Sequence, residues 1–471
     1  VSRVLGIVRN GLLSWQFGAG ETTDIYLAAF RIPDFLYGIL IMGGISTVFL
    51  PLFSELFEKD KREAWTFASN LLNILVVALL VLSAAAFLLV PALMKLVAPG
   101  FSPEQQEITT NLTRLMLLSP ILLGISSVLS GVLQYFGKFL AYSLAPIFYN
   151  LGIIAGIVFL VPLFGIWGLG FGVVAGALLH LLIQVPAVIT SGFRWRPSFQ
   201  WRNEALGKVL RLALPRTFAA AGLHVNLIVV TALASIISTG SITIFTYAND
   251  IQHFPIGLIG ASFAVAAFPS LSRLFAERQL ARFGDIFATT IKQVVFLVVP
   301  ISLLTFLLRA QVVRLVYGAG DKFTWDDTRV TAAALGIFAF GILFQALIPF
   351  LARVFFAIQN TRTPTFVSIA SVAFNIFLAI LFLKILAGSN ILTSLLVSGL
   401  KLQGIGDIRV LALPLALVCS GMVQAVLLSL FLRKYIREGM QKDLYVSMVK
   451  TAGASLVLAS VTYVILQLYG G

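Results

Sequence analysis

Apolar windows of about twenty residues or more, separated by short polar breaks, recur along the whole of this chain. An α-helix rises about 1.5 Å per residue, so ~20 apolar residues cross the ~30 Å hydrocarbon layer of a bilayer. Thirteen windows are predicted, at approximately 1–18, 23–57, 64–97, 107–136, 140–162, 166–190, 205–236, 241–272, 284–316, 327–358, 364–387, 408–432 and 444–469. They are too long and too uniformly apolar for barrel strands, and a backbone in lipid must satisfy its own hydrogen bonds, so each is predicted to be helical. The first window begins at Val1, which places the start of the numbered chain inside a helix, and no cleavable signal-peptide pattern is visible.

The pattern repeats. Pro51-Leu52-Phe53-Ser54-Glu55-Leu56-Phe57 closes the second window, and Pro269-Ser270-Leu271-Ser272-Arg273-Leu274-Phe275 closes the eighth, 218 residues later. Lys95-Leu96-Val97 at the end of the third window likewise matches Arg314-Leu315-Val316 at the end of the ninth. Six windows per unit is an even number, so the two lobes share one orientation, the parallel-repeat plan of many secondary transporters with the substrate site between the halves. The expected division is a first lobe at 1–190, a basic linker at 191–208, a second lobe at 209–432 and a final helix at 433–471. The linker, with Trp195 and Trp201, reads as a cytoplasmic connection with interfacial tryptophans, the alternative being a lipid-headgroup sensor. Residues 388–407 form the longest outer connection and show no recognisable chemistry.

With 59% hydrophobic and 11% charged residues over 471 positions and a mean hydropathy of +0.99, the chain is an all-α polytopic membrane protein and not a soluble globule. Its net charge of +14 is topological. Lys59, Lys61, Arg62, Lys138, Arg194, Arg196, Arg202, Lys208, Arg273, Arg278, Arg282, Arg362, Arg433, Lys434, Arg437 and Lys442 fall at even-numbered breaks, against little more than Lys322 and Lys401 at odd ones. The positive-inside rule makes the even breaks and the N-terminus cytoplasmic, and nucleic acid is not an expected partner. The lone Cys419 excludes a disulfide framework. No metal-ligand spacing, nucleophile elbow, phosphate loop or catalytic carboxylate pair appears, so neither enzymatic activity nor a metal or cofactor is expected.

Charges inside the membrane carry the functional information. Arg3, Arg9, Asp24, Arg31 and Asp34 lie within the first two windows, where a charge costs at least ~3 kcal/mol on insertion scales and usually faces a protein interior or a water-filled cavity. Three cations there suggest an anionic cargo. Arg3 and Arg9 are separated by ~9 Å of rise and ~120° of rotation, so they can line one broad wall. Arg31 and Asp34 flank Pro33, which removes a helix hydrogen bond. A structural alternative stays open: an Arg31–Asp34 pair that only holds helices, with Arg3 snorkelling. Several guanidinium forks converging on one cavity would suit a diphosphate. The eighth window carries Asn249, Asp250, Gln252 and His253 before Pro255, so both lobes break the corresponding helix near the same depth. Arg114, Arg216, Arg309 and Arg353 are expected to snorkel, and His180 and His224 to be packed or hydrogen-bonded.

Ser2-Arg3-Val4-Leu5-Gly6-Ile7-Val8-Arg9, Gly18-Ala19-Gly20, Thr23-Asp24 and Phe30-Arg31-Ile32-Pro33 resemble the opening of the MurJ (MviN) family, lipid II flippases of the multidrug/oligosaccharidyl-lipid/polysaccharide exporter superfamily. The resemblance continues through Ala98-Pro99-Gly100-Phe101, Ala145-Pro146 with Asn150, and Gln359-Asn360-Thr361-Arg362-Thr363-Pro364, and covers essentially the whole chain. It implies fourteen helices: two six-helix lobes plus a C-terminal pair lining a groove for a polyprenyl tail. It also implies alternating access, in the bacterial inner membrane, for lipid II or a similar polyprenyl-diphosphate glycan, with membrane lipids and other cell-wall synthesis proteins as further partners. Ser2, Arg3, Arg9, Asp24 and Arg31 match the family's substrate cavity. Three positions depart from the pattern: Asn249-Asp250 stands where an Asp-Arg pair is common, Tyr37 where arginine is frequent, and Asn10 where the family has Asp. The second lobe thus lacks its usual cavity arginine, which Arg216 or His253 would partly replace. The competing readings are a sister exporter of another lipid-linked glycan or a drug, and a non-transporting scaffold of cell-wall synthesis.

Overall fold

The computed structural model describes residues 1–39, 46–201, 203–433 and 438–469, with backbone alone at 46, 47, 210, 212, 214–220, 223, 438–442 and 469. Two compact units divide between Ile242 and Thr243. In chain order the first comprises α1 (Ser2–Phe17), α2 (Glu21–Ala29), α3 (Arg31–Tyr37), α4 (Ser46–Lys59), α5 (Lys61–Val97), α6 (Pro103–Met116), α7 (Leu118–Tyr135), α8 (Phe139–Ala155), α9 (Val161–Phe164), α10 (Trp167–Leu182), α11 (Val185–Ile189) and α12 (Glu204–Ser235). The second holds α13 (Ser241–Pro255), α14 (Ala261–Ala276), α15 (Leu280–Leu307), α16 (Arg309–Tyr317), α17 (Trp325–Ala357), α18 (Arg362–Leu386), α19 (Ile391–Gly399), α20 (Ala412–Leu432) and α21 (Glu438–Tyr469).

Among the described residues, ten helices are long and apolar enough to cross a bilayer. Three of the thirteen expected windows are not among them. α1 has 16 residues, the second window holds α2, α3 and α4 with residues 40–45 outside the description, and α12 runs for 32 residues but is described in part by backbone alone. The division of the second window has a visible cause. Pro33 lies in the first turn of α3 and has no N–H to offer the Ala29 carbonyl one turn earlier, and the Thr113 hydroxyl of α6 donates to that carbonyl at 3.3 Å.

The sequence repeat has local counterparts in each unit. Pro51 lies inside α4 and Pro269 inside α14. α6 and α17 both open with a capping box, Ser102 with Gln105 and Thr324 with Asp327, which satisfies orphan N–H groups at each helix start. Pro255 ends α13, and a π-helical turn, Ile256–Gly260, follows it.

In the first unit α4, α5 and α7 close on Phe49, Phe53, Phe67, Leu71, Val128 and Val132. α8 and α10 pack backbone to backbone. A Cβ at Gly156 would overlap the Cα of Gly172, and one at Gly152 the Cα of Gly176, so the Gly168, Gly172 and Gly176 stripe permits a close approach that any side chain would block. Compactness groups α12 with this unit, because it packs against α3, α4 and α5. The basic connection before α12 is pinned to α5: Asn70 pairs with Gln200 through its amide in both directions, Asn73 donates to the carbonyls of Arg196 and Ser198, and Trp195 Nε1 donates to Asn73 Oδ1 at 2.7 Å. Lys208 and Lys59 both meet Glu55 in an exposed network, where solvent screening leaves such pairs with little net stabilisation.

In the second unit α17 is the central helix, packing on α14, α15, α16 and α20 around Phe283, Phe287, Phe350, Leu351 and Leu428. Residues 388–407 are not a featureless connection, since they contain α19. Its return is latched: Arg329 donates to the carbonyls of Lys401 and Gln403, and Arg409 Nη2 reaches Asp407 Oδ2 at 2.6 Å. Burial alone would raise the Asp407 carboxyl, but the hydrogen bonds and charge of Arg409 outweigh it and hold the group below the usual carboxylate range. A depressed carboxylate stabilises the fold above its unfolded pKa and loses that contribution as pH falls through its folded value. Amide exchange of residues 400–411 is therefore expected to be pH-independent, after correction for intrinsic exchange, near neutrality and to accelerate under acid conditions. Asp407→Asn should show the fast exchange at both.

Candidate functional site

The site begins on α1. Arg9 is half-buried, and its Nε donates to Asn10 Oδ1 at 3.0 Å. Among the described residues its Nη groups make no hydrogen bond or ion pair, so the neutral Asn10 orients the guanidinium without neutralising it. Ser2 donates to the Pro146 carbonyl at 3.2 Å, and Asn150 Nδ2 reaches both Ser2 Oγ and that carbonyl, which fixes the start of α1 against α8. Arg3 is exposed and has no polar partner among the described residues.

Asp34, on α3, feels the charges of both Arg31 and Arg9. Tyr26 and Tyr149 sense the same Arg9 and Asp34 charges, and Tyr37 senses Asp34. Asp34 is exposed to solvent. Arg31 Nε donates to Thr231 Oγ1 of α12 at 2.7 Å, and its charge also reaches His224 on the same helix. In the first unit Arg9, Arg31 and Asp34 thus lie within electrostatic reach of one another, with Tyr37 and Tyr149 half-buried nearby and Tyr26 buried in the core. Arg3 lies on the same helix but nothing joins it to them.

Asp24 is elsewhere. It is 3% exposed, and its Oδ2 accepts from the Gly240 N–H at 2.7 Å. Gly240 has φ +87°, and a Cβ there would overlap the Ala19 carbonyl, so glycine is required for this contact. A cavity of about 320 Å³ beside it is lined by Glu21, Gly100, Gln105 and Ser235. In the second unit Gln252, 1% exposed, donates to Asn249 Oδ1 at 2.9 Å. Asn249 and Asp250 are half-buried and His253 is exposed. Arg216 falls outside the described side chains.

Other polar side chains in the apolar helices have local partners. Arg114 donates to the Phe87 carbonyl and lies over its ring, as Arg309 does with Phe306. His180 Nδ1 lies 2.7 Å from Ser126 Oγ. Thr231, Tyr26 and Tyr149 were invisible to sequence reasoning as site residues, because a threonine or tyrosine in an apolar helix has no distinguishing pattern. Pro146 and Asn150 did carry one, as a motif whose role only the contact with Ser2 explains.

The family model described as "Lipid II flippase MurJ" matches residues 13–470. The chain belongs to the MurJ family. A probable lipid II flippase MurJ of Vibrio cholerae serotype O1 is 30% identical over 429 residues, 86% of this chain and 81% of the relative. One from Buchnera aphidicola is 29% identical over 381 residues, 80% and 74% of the two chains. The fold matches a solved lipid II flippase MurJ in an inward closed conformation with TM-score 0.79 and 24% identity, covering 98% of this chain and 91% of that one. It also matches an inward-facing multidrug resistance MATE family transporter of the MOP superfamily with TM-score 0.72 and 17% identity, covering 94% and 96%. As a member of the MurJ family the chain is a transporter and not an enzyme. The matched stretch starts at residue 13, so the assignment of Ser2, Arg3 and Arg9 rests on their geometry and on the motif they form.

Proposed function

We propose that this protein moves lipid II, or a closely similar polyprenyl-diphosphate glycan, across the bacterial inner membrane by alternating access, with its N-terminus on the cytoplasmic side. The observation that carries the reading is the accessible Arg9, Arg31 and Asp34 cluster, in which Arg9 keeps donors free. A diphosphate offers planar groups of acceptor oxygens that a guanidinium fork meets in two-point fashion. In this reading the two cations bind the diphosphate, Asp34 limits their grip so that the headgroup can leave, and the half-buried Tyr37 and Tyr149 meet the sugar. Ser2 and Asn150 position α1. Asn249, Asp250, His253 and Arg216 would complete the second lobe's side of the cavity, and α21 would form part of the polyprenyl-tail groove. Lobes bounded at 190 and 209 and contacts with other cell-wall synthesis proteins belong to the same proposal.

Native mass spectrometry of the detergent-solubilised chain tests it. Lipid II should be retained in competition with undecaprenyl monophosphate, because the second phosphate adds charge-assisted hydrogen bonds of about 1.5–3 kcal/mol, roughly ten- to hundred-fold in affinity. Equal retention of the two lipids, or drug binding without either, would point to the sister-exporter reading.

A further inference from the structure

α15 and α21 lie against one another in the second unit, and each places a lysine twelve residues from its first residue, Lys292 and Lys450; α21 also carries Lys442, whose side chain lies outside the described residues. Both helices start at a basic break, so the two ammonium groups stand at matched depth, ~18 Å along each helix. Between them is a cavity of about 550 Å³ whose walls include Asp443, Ser447, Thr451 and Phe296. Among the described residues neither lysine, nor Asp443, takes part in any ion pair or hydrogen bond. Both lysines belong to helices apolar enough to span a membrane, and α21 is largely exposed within its own unit, with Leu456, Val457 and Val461 all more than half accessible.

Two like charges facing one groove repel and are costly at the edge of hydrocarbon, so an anion between them would relieve both. The order along the groove limits which anion. Asp443 stands ~10 Å nearer the basic side than Lys450, and the Phe296 ring stands about one turn deeper than Lys292. From the surface inward the groove thus presents an acceptor, two ammonium groups with two hydroxyls, and an apolar wall. A polyprenyl tail does not suit a site holding two unpaired ammonium groups, and a diphosphate would bring its second anionic group toward Asp443. A phosphodiester with a donor-bearing headgroup on one side and acyl chains on the other fits the sequence of groups.

We propose that this groove binds one glycerophospholipid from the leaflet on the protein's basic side. Its phosphate bridges Lys292 and Lys450, its headgroup hydroxyl or ammonium donates to Asp443, and its acyl chains leave past Phe296. The site is separate from the arginine cluster and does not depend on what that cluster carries.

The test is native mass spectrometry of the full chain with phosphatidylglycerol, phosphatidylcholine and inorganic phosphate as probes. A single phosphatidylglycerol should be retained in preference to phosphatidylcholine, whose headgroup has no donor, and inorganic phosphate should not displace it. The Lys292→Gln/Lys450→Gln variant, shown to be folded by its melting curve, should bind phosphatidylglycerol at least about tenfold more weakly, the scale of one lost charge-assisted hydrogen bond. Lys292→Arg/Lys450→Arg should keep it, and Asp443→Asn should erase the preference over phosphatidylcholine. Arg9→Ala should leave this retention unchanged whether or not it binds lipid II. Undiminished retention by the double glutamine variant, or displacement by inorganic phosphate, overturns the proposal.

Discussion

Arg9→Ala is expected to insert normally and to fail to support growth of a bacterium depleted of its own flippase. Among the described residues Arg9 is held through Nε, by Asn10, and its two Nη groups are the donors left for a ligand. Their removal takes away two charge-assisted hydrogen bonds, each worth about 1.5–3 kcal/mol, which exceeds a hundred-fold in affinity if both reach the diphosphate. Among the described residues Asn10 Oδ1 is the acceptor that Arg9 serves, so folding should be little affected. Arg9→Lys keeps the charge without the fork and should fall between the two. Growth equal to wild type with Arg9→Ala would remove Arg9 from the site. Exchanging Arg31 and Asp34 separates transport from scaffolding: a pair that only holds helices tolerates the exchange, whereas the Arg31 contact with Thr231 and a phosphate-binding wall do not.

Gly172→Val is expected to abolish accumulation of folded protein. A Cβ at that position meets the Cα of Gly156, and the neighbouring glycines prevent the helices from sliding to a new register. Ordinary overpacking costs about 1–3 kcal/mol, but here the obstacle is backbone against backbone, which cannot rotate away, so the loss should exceed that range. Gly453→Ala on α21 is the control. Nothing lies within 4 Å of its added Cβ, and alanine gains up to about 1 kcal/mol of helix propensity. Size-exclusion profiles of the two variants fused to a fluorescent reporter would show a monodisperse peak for Gly453→Ala alone. A monodisperse Gly172→Val would mean that α8 and α10 are not in close contact.

Arg9 and Arg31 stood out because charge in an apolar window is expensive, and the expense is visible one residue at a time. Asp24 was grouped with them on the same ground, and its Oδ2 accepts from the backbone N–H of Gly240. The charge was legible and its partner was not, since a glycine N–H 216 positions away leaves no mark on the sequence near Asp24. The glycine stripe from Gly168 to Gly176 was present in the sequence but unpaired, because its meaning depends on the complementary Gly152 and Gly156 of another helix.

Apolar windows, the positive-inside bias and the 218-residue repeat determined a helical, polytopic, two-lobed transporter, because each rests on the free energy of a segment in lipid and needs no knowledge of its neighbours. The family motifs extended this to a lipid-linked diphosphate. Only the tertiary structure decided which charges meet, that the second window divides at Phe30 with Thr113 serving the carbonyl that Pro33 abandons, and that Lys292 and Lys450 share a groove. Those are pairings between distant segments, and a pairing is fixed by how helices pack, which no single window of sequence contains.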